Sequence, residues 1–557
     1  MTTDAPMPGG SFLGSDEFPV AFDDPSEAEE SWERDDMHAP FALTPLAQDM
    51  FLRVTGGAFT PWYELFGAPQ RLLPKSFNGW AYFAFQENVP KEREKEQEAW
   101  WIQVNRDQIP LTRALWDDEV LPELREMFAW MAGLPIEDLS GEEAAAAWEQ
   151  AWLQGERAWV LHFIIIMGPY QVLEDLVAAY ASAVGPGRDA EALGLVGGGH
   201  HELEDVEEGI EALAALAAAA PGDELARAIE AGATGGSVTD ELDLDPFRAL
   251  PGGEAFVDEM ERFLATHGHL GQNHDDLRMA SWAEAPRLFL GRIAPRLRSP
   301  APPAREREAA LAAKATELEA GVRAALADKP DELARFQTTL AFARDIGWLT
   351  EGHNYWIDRL SQARLRALAL RGGRRLVRDG VFEAPDDVFF LHREEIAAAL
   401  RDGASRADLV AERRAEHARN ETRIAPYWVG KIPVETRTSD LFDVPRVTTT
   451  STDSLKGTGA SAGVVRGPAR VTLSQDDFGR IQPGDIVVCP SSNPSWVPIF
   501  TIAGGLITNT GGVLSHAAVV AREFGLPAVV GTGDATTKIA DGRLVEIDGT
   551  AGTVKLL

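Results

Sequence analysis

The sequence is poor in several things that usually steer a first reading. It has one cysteine in 557 residues, Cys489, so no internal disulfide can form and no cysteine-based zinc site is available. Positive charge is scarce: 52 lysines and arginines stand against 87 aspartates and glutamates, a formal net charge of -35. A surface of that sign repels phosphate backbones and anionic headgroups, which argues against nucleic acid and against a membrane as partners. No apolar run reaches the ~18 residues a membrane-crossing helix needs. The best stretch, 158–167, is short and contains His162. The start, Met1-Thr-Thr-Asp, lacks the basic and then apolar pattern of a secretory signal. These absences lead to the expectation of a cytoplasmic protein. There is also no P-loop, no internal repeat and no strand-rich nucleotide-binding texture before residue 450.

What is present predicts a multidomain protein: a large, mainly α-helical domain followed by a small α/β domain. Residues 1–36 mix Gly, Pro, Ser and carboxylates without periodicity and read as an acidic, flexible arm, either disordered or wrapped peripherally. Residues 37–440 carry Ala/Leu/Glu/Arg-rich helical patterns such as 143–161, 210–220, 306–326 and 333–348. This region holds 13 of the 15 tryptophans, read either as core filling or as the lining of an apolar pocket. Residues 441–453 are polar and helix-poor, a linker. Residues 454–557 alternate short strands with two helices, at 495–503 and 515–524, and end in a hairpin through Asp548-Gly549-Thr-Ala-Gly552.

The most informative stretch is Thr508-Asn-Thr-Gly-Gly-Val-Leu-Ser-His516. A strand ends, Gly511 and Gly512 permit a tight path, Ser515 can cap a helix, and His516 occupies the first turn. Gly525 and Pro527 close that helix. A helix start offers free N–H groups and the positive end of the dipole, which suits an anion on or beside the imidazole. Neutral imidazole can attack phosphorus, and the N–P bond is labile enough to pass the group on. Thr510 and Ser515 are placed either to hydrogen-bond a phosphate or to close the turn. Arg522 lies nearly two turns on and reads as paired with a carboxylate rather than in touch with the phosphate.

This stretch, with its continuation His516-Ala-Ala, Ala521-Arg-Glu523 and Gly525-Leu-Pro-Ala-Val-Val-Gly531, resembles the phosphohistidine signature of the phosphoenolpyruvate-utilising enzymes. Gly463-Val-Val-Arg-Gly-Pro-Ala-Arg470, Pro483-Gly-Asp-Ile-Val487 and Pro494-Ser-Trp-Val-Pro498 extend the likeness. The resemblance implies a swivelling domain in which His516 carries a phosphoryl group between two active sites. Thr510, Gly511, Gly512 and Ser515 form its phosphate loop. Asn509 departs from the pattern, standing where many relatives have aspartate. The helical region, through Thr44-Pro45-Leu46, Thr266-His267-Gly-His-Leu-Gly271 with Trp282, and Pro385-Asp-Asp-Val-Phe-Phe-Leu391, is similar to the acceptor-binding region of rifampicin phosphotransferase. It also resembles the histidine-bearing subunit of phenylphosphate synthase.

An ATP-grasp texture is missing, so the resemblance implies a separate ATP-grasp protein that holds ATP and Mg²⁺ and phosphorylates His516. No cofactor is assigned to this chain itself. The acceptor is expected to be a small organic hydroxyl compound, an alcohol or phenol, bound in the helical domain. Such a transfer needs a base and a group that steadies the phosphoryl oxygens. His267, His269, His274 and His353 are candidates for the first role, and Arg344, Arg359 and Arg364 for the second. The spacing of His267, His269, His274 and Asp275 fits no strong zinc signature, so no metal ligand is assigned. The competing reading is a phosphohistidine carrier or regulatory protein with no small-molecule acceptor.

Overall fold

The computed structural model describes residues 10–35, 38–39, 41–196, 202–234, 242–271, 276–298, 304–433, 454–473, 475–492, 496–500, 502–513 and 515–557. The expected linker, 441–453, and the residues His200, His201, His274 and Asp275 lie outside them. The chain forms two compact units, each gathered from separated segments. The first comprises 1–168, 273–279 and 353–436, and the second 169–272, 280–352 and 437–557. The single helical domain expected over 37–440 is thus two bodies. Both are built largely from amphipathic helices of similar composition, so no change of texture marks the division.

The first unit contains a sheet that helical periodicity did not announce. Its strands are β1 (Ser11–Phe12), β2 (Ser31–Arg34), β3 (Gln70–Phe77), β4 (Trp80–Glu87) and β5 (Trp428–Lys431), in the order β1-β5-β2-β4-β3. Every neighbouring pair is antiparallel. β3 and β4 are joined by Asn78-Gly79, with φ of 51° and 80°, the left-handed pair that a tight hairpin turn requires. The described part of the acidic arm is the ordered wrap of the two expected forms, not the flexible one. From residue 10 onward it supplies two strands, and Phe18 and Trp32 sink into a cluster with Phe77, Tyr82 and Val429. A few aromatic anchors outweigh the surrounding charge because each buries a large apolar area while the carboxylates stay in water.

Around the sheet pack helices including Glu94–Leu115, Leu121–Gly133, Gly141–Ile165, Ser361–Arg378 and Arg393–Asp402. Gly141–Ile165 starts at a capping box, Ser140 with Glu143. The open carbonyls ending Leu121–Gly133 are closed by Arg371, whose guanidinium donates to Met131 at 2.9 Å, Ala132 at 3.1 Å and Leu134 at 2.8 Å. By length and composition one helical stretch among the described residues, Gly141–Val184, could cross a membrane, and 61% of its most apolar window is buried within the protein.

The second unit holds the helices Met167–Val184, Glu202–Ala218, Glu224–Thr234, Gly253–His267, Pro286–Arg298, Ala304–Ala325 and Pro330–Ile346. Phe263, Trp282 and Phe289 stack at its centre. Arg292 reaches Glu207 at 2.5 Å, and Arg296 binds the same carboxylate. After these helices comes the small α/β domain, with strands β6 (Ser454–Lys456), β7 (Thr458–Ser461), β8 (Val464–Val471), β9 (Ile486–Cys489), β10 (Gly505–Thr508), β11 (Ala528–Val530), β12 (Leu544–Asp548) and β13 (Thr553–Leu556). They form one mixed sheet, β6-β13-β12-β8-β9-β10-β11-β7, in which β8 to β11 run parallel.

Strands β9, β10 and β11 are buried along their whole length, which is why they read as unbroken apolar runs rather than alternating ones. Helix His516–Glu523 covers one face through Ala517, Ala518, Val520 and Ala521, together with Trp496 and Phe500. Ala535 and Ile539 join the cluster on the other face. The terminal hairpin pairs Asp548 with Thr553, as the sequence indicated.

Candidate functional site

The loop after β10 is fixed by its own backbone. Thr508 ends the strand and its hydroxyl donates to the Thr510 carbonyl at 2.5 Å. Gly511 has φ +109°, and a Cβ there would lie 2.8 Å from the Ser515 hydroxyl oxygen, so only glycine fits. Gly512 has nothing within 4 Å of the equivalent position and leaves open space beside the helix start. Asn509 gives its amide to Thr536, donating to the hydroxyl at 2.7 Å and accepting from the backbone N–H at 3.0 Å. Its side chain thus pins the loop to the turn at Ala535–Lys538. Arg522 donates to the carbonyls of Ala460 and Val513, at 3.1 and 2.6 Å, and stitches the helix to β7 and the loop.

The hydroxyls of Thr510 and Ser515 serve the loop itself. Thr510 Oγ1 donates to the Pro490 carbonyl at 3.1 Å, and Ser515 Oγ donates to the Gly512 carbonyl at 2.8 Å. Ser515 is the extended N-cap residue, with ψ 154° and no side-chain cap hydrogen bond. Its carbonyl accepts from both Ala518 and Val519 at 2.9 Å. The N–H groups of His516 and Ala517, in the first turn, have no intrahelical acceptor and are the donors available to an anion.

His516 meets a residue that sequence reading passed over. Its Nδ1 lies 3.2 Å from Glu351 Oε2, with side-chain exposures of 13% and 8% respectively. A carboxylate accepting the Nδ1 proton leaves Nε2 as the unprotonated nitrogen with a lone pair. That Nε2 is buried and has no hydrogen-bond partner among the described residues. In the tautomer with the proton on Nδ1, Nε2 has the lone pair that a nucleophile needs. Glu351 follows Thr350 in a helix, Leu349–Asn354, whose sequence has no motif that marks it.

The other expected site residues fall into two groups. His267 ends helix Gly253–His267, and His269 lies in the turn behind it. Burial pushes the His267 imidazole below its ordinary value, partly offset by Asp205 and Glu202. Thr266-His-Gly-His-Leu-Gly271 builds a reversal: Trp282 N–H donates to the Leu270 carbonyl at 2.7 Å and Ala283 N–H to the Gly268 carbonyl at 2.8 Å. His353 and Arg359 lie in the first unit, both buried, on Leu349–Asn354 and on the π-helical turn Tyr355–Leu360 that follows it.

Of the arginines, Arg344 donates to the Leu195 carbonyl at 3.1 Å and pairs with Glu319 at 3.1 Å, a structural tie. Arg364 has no carboxylate partner among the described residues, its Nε is buried without a hydrogen bond, and burial lowers its guanidinium from the ordinary range. A half-buried cation without a counter-charge suits an anionic group. Pro385–Phe390 is a 3₁₀ turn. Asp387 caps it by accepting from the N–H groups of Glu383 and Ala384, so that motif is scaffolding. Thr44, at the start of helix Pro45–Asp49, is likewise buried and donates to Asp276 at 3.4 Å. Most described tryptophans are core residues, Trp148, Trp152 and Trp282 almost completely so.

Comparison with known proteins matches two parts of the chain. Residues 481–552 match the mobile domain of the PEP-utilising enzymes, and residues 171–351 match the fourth domain of rifampicin phosphotransferase. Rifampicin phosphotransferase of Streptomyces sviceus is 31% identical over 327 residues, covering 58% of this chain and 36% of that protein. An uncharacterized phosphotransferase of Bacillus subtilis, YvkC, is 32% identical over 212 residues, covering 38% of this chain and 26% of that protein. The chondramide synthase cmdD of Chondromyces crocatus is 32% identical over 330 residues, covering 56% of this chain and 8% of that protein. The chain thus spans little more than a third, at most, of these relatives. Residues 481–552 are thus similar to the mobile domain of the PEP-utilising enzymes, and residues 171–351 to the fourth domain of rifampicin phosphotransferase.

Proposed function

We propose that this protein is a phosphotransferase in which His516 carries a phosphoryl group from a separate ATP-grasp protein to a small organic hydroxyl compound held by the helical region. The observation that carries this reading is the state of the His516 ring: Nδ1 engaged by Glu351, and Nε2 buried and unpartnered at a helix start. In the first half-reaction the Nε2 lone pair attacks a nucleotide phosphorus, forming the N–P bond as the P–O bond to the nucleotide breaks. In the second, the acceptor oxygen attacks the same phosphorus, the N–P bond breaks, and the hydroxyl proton passes to a base. The N–H groups of His516 and Ala517 hold the phosphoryl oxygens on the carrier. Arg359 and Arg364 are the cations suited to steady them at the acceptor, and His267, His269 and His353 are the candidate bases. ATP and Mg²⁺ belong to the donor, because nucleotide chemistry needs a metal and several phosphate-holding groups arranged together.

The test is labelling and discharge. The chain with radiolabelled ATP and Mg²⁺ alone should stay unlabelled. With an ATP-grasp protein added, His516 should take up acid-labile label, and a set of alcohols and phenols should be screened for the one that removes it. Labelling of the chain alone would overturn the donor assignment. Stable label that no hydroxyl compound discharges would favour the carrier without a small-molecule acceptor.

A further inference from the structure

Within the first unit, two imidazoles and a carboxylate converge at a place no motif marked. His162 comes from helix Gly141–Ile165, His353 from the end of Leu349–Asn354, and Asp358 from the π-helical turn Tyr355–Leu360. One ligand-capable atom from each lies within 4.8 Å of the other two. His162 Nδ1 and Asp358 Oδ1 are 3.0 Å apart, and the His162 and His353 rings meet edge to face at 4.5 Å. We propose that His162, His353 and Asp358 form a binding site for a divalent transition metal of the zinc type.

Three features favour this over a chance grouping. The first is spacing. Zinc bonds of roughly 2.0–2.1 Å to nitrogen and oxygen in a tetrahedral array place ligand atoms about 3.3 Å apart. The His162 to Asp358 pair already has nearly that separation, and the His353 ligand atom lies within 4.8 Å of both.

The second is the helix itself. Residues five apart on an α-helix point about 140° away from each other, because one turn takes 3.6 residues. The π turn Tyr355–Leu360, which begins two residues after His353 and contains Asp358, winds less per residue and so reduces that angle, and the two ligand atoms lie within 4.8 Å.

The third is charge. Asp358 is only 8% exposed and His353 only 2%, and a bound dication would offset the cost of burying a carboxylate. Trp159 stacks on His162 at 5.0 Å, and its buried indole N–H has no hydrogen-bond partner, which suits a water or ligand oxygen in a metal's open position. The donor set, two nitrogens and one oxygen with no thiolate, selects zinc, manganese or iron rather than copper(I), and two imidazoles disfavour magnesium. His353 so engaged has no lone pair to offer as a base, which removes it from the candidates for acceptor deprotonation.

The test uses the full chain, stripped with chelator and titrated with Zn²⁺ by calorimetry, with Co²⁺ as a visible-absorption probe. One equivalent should bind, Co²⁺ should give the d–d bands of a four- or five-coordinate site, and Zn²⁺ should raise Tm. Asp358→Asn and His162→Ala should each weaken binding by roughly a hundredfold or more and abolish the Tm rise, while His516→Ala should bind as the parent does. Asp358→Asn keeps the side-chain volume, so it remains informative where His162→Ala fails to fold. No binding by the parent chain, or binding that survives both variants, overturns the proposal and leaves His162 and Asp358 as a buried ion pair only.

Discussion

The two histidine clusters are built in opposite ways. His516 sits in a loop whose determinants lie in one short run, from Thr508 to Pro527, with each turn closed by neighbours a few residues away. The His162, His353 and Asp358 cluster joins residues up to 196 apart in sequence, held by helix packing and a π turn. A contiguous site can be read from its letters because local backbone rules fix it. An assembled site cannot, since each member looks like an ordinary helix residue. Glu351 lies between these extremes. It touches the most legible residue in the chain, but its own sequence setting gives nothing away.

The largest test of this contrast is His516→Ala, which removes the nucleophile. Labelling by an ATP-grasp donor should fall more than about a thousandfold, with far-UV dichroism unchanged and Cys489 still inert to thiol reagents. That thiol is fully buried and pushed far above its ordinary range, so its reactivity reports whether the domain core has stayed closed. Residual acid-labile label would break the assignment of a single phosphorylated residue.

Next comes Glu351→Gln, the nonlocal partner. An amide can donate to Nδ1 and so disfavour the Nδ1 proton that lets the ring leave phosphorus as neutral imidazole, which should slow discharge of the phosphorylated protein by about a hundredfold. Glu351→Asp should recover part of the rate. If discharge by Glu351→Gln were as fast as by the parent, the Glu351 to His516 contact would have no part in transfer.

Gly511→Ala probes the local end of the comparison. Its φ of +109° and the Ser515 oxygen 2.8 Å from the new Cβ should cost about 1–3 kcal/mol in the domain, read as a lowered denaturant midpoint. A variant as stable as the parent would show that the loop relaxes freely.

The smallest effect concerns His392, in the first unit. Its hydrogen bond to Asp49 at 3.0 Å, supported by the charge of that carboxylate, raises its pKa above the ordinary value despite burial. The contribution is therefore fully present below pH about 6.5, the unfolded value, and is lost as pH rises through the raised folded value. The histidine side chain is 39% exposed, so screening keeps the effect small. His392→Gln should lower Tm by about 1–2 °C at pH 5.5 and by less at pH 8.5. Equal shifts at both values would mean the pair acts through packing alone.

Taken by itself, the sequence determined the α/β domain. Its apolar runs became the buried parallel strands, its Gly-Gly loop and Ser515 set the helix start, and its terminal hairpin formed in register. It also contained one signal left unread, Asn78-Gly79 between two apolar runs, which marks the β3–β4 hairpin. The tertiary structure alone decided the rest. It drew the arm into a sheet through Phe18 and Trp32, and it turned the Thr510 and Ser515 hydroxyls onto loop carbonyls. It also divided the helical region into two bodies and brought Glu351 to His516 and Asp358 to His162. The physical reason is range. Turn geometry, caps and strand burial depend on neighbours within a few residues, whereas a carboxylate finds its histidine only after helices far apart in the chain have packed, and packing of amphipathic faces does not record in any one segment which partner it will meet.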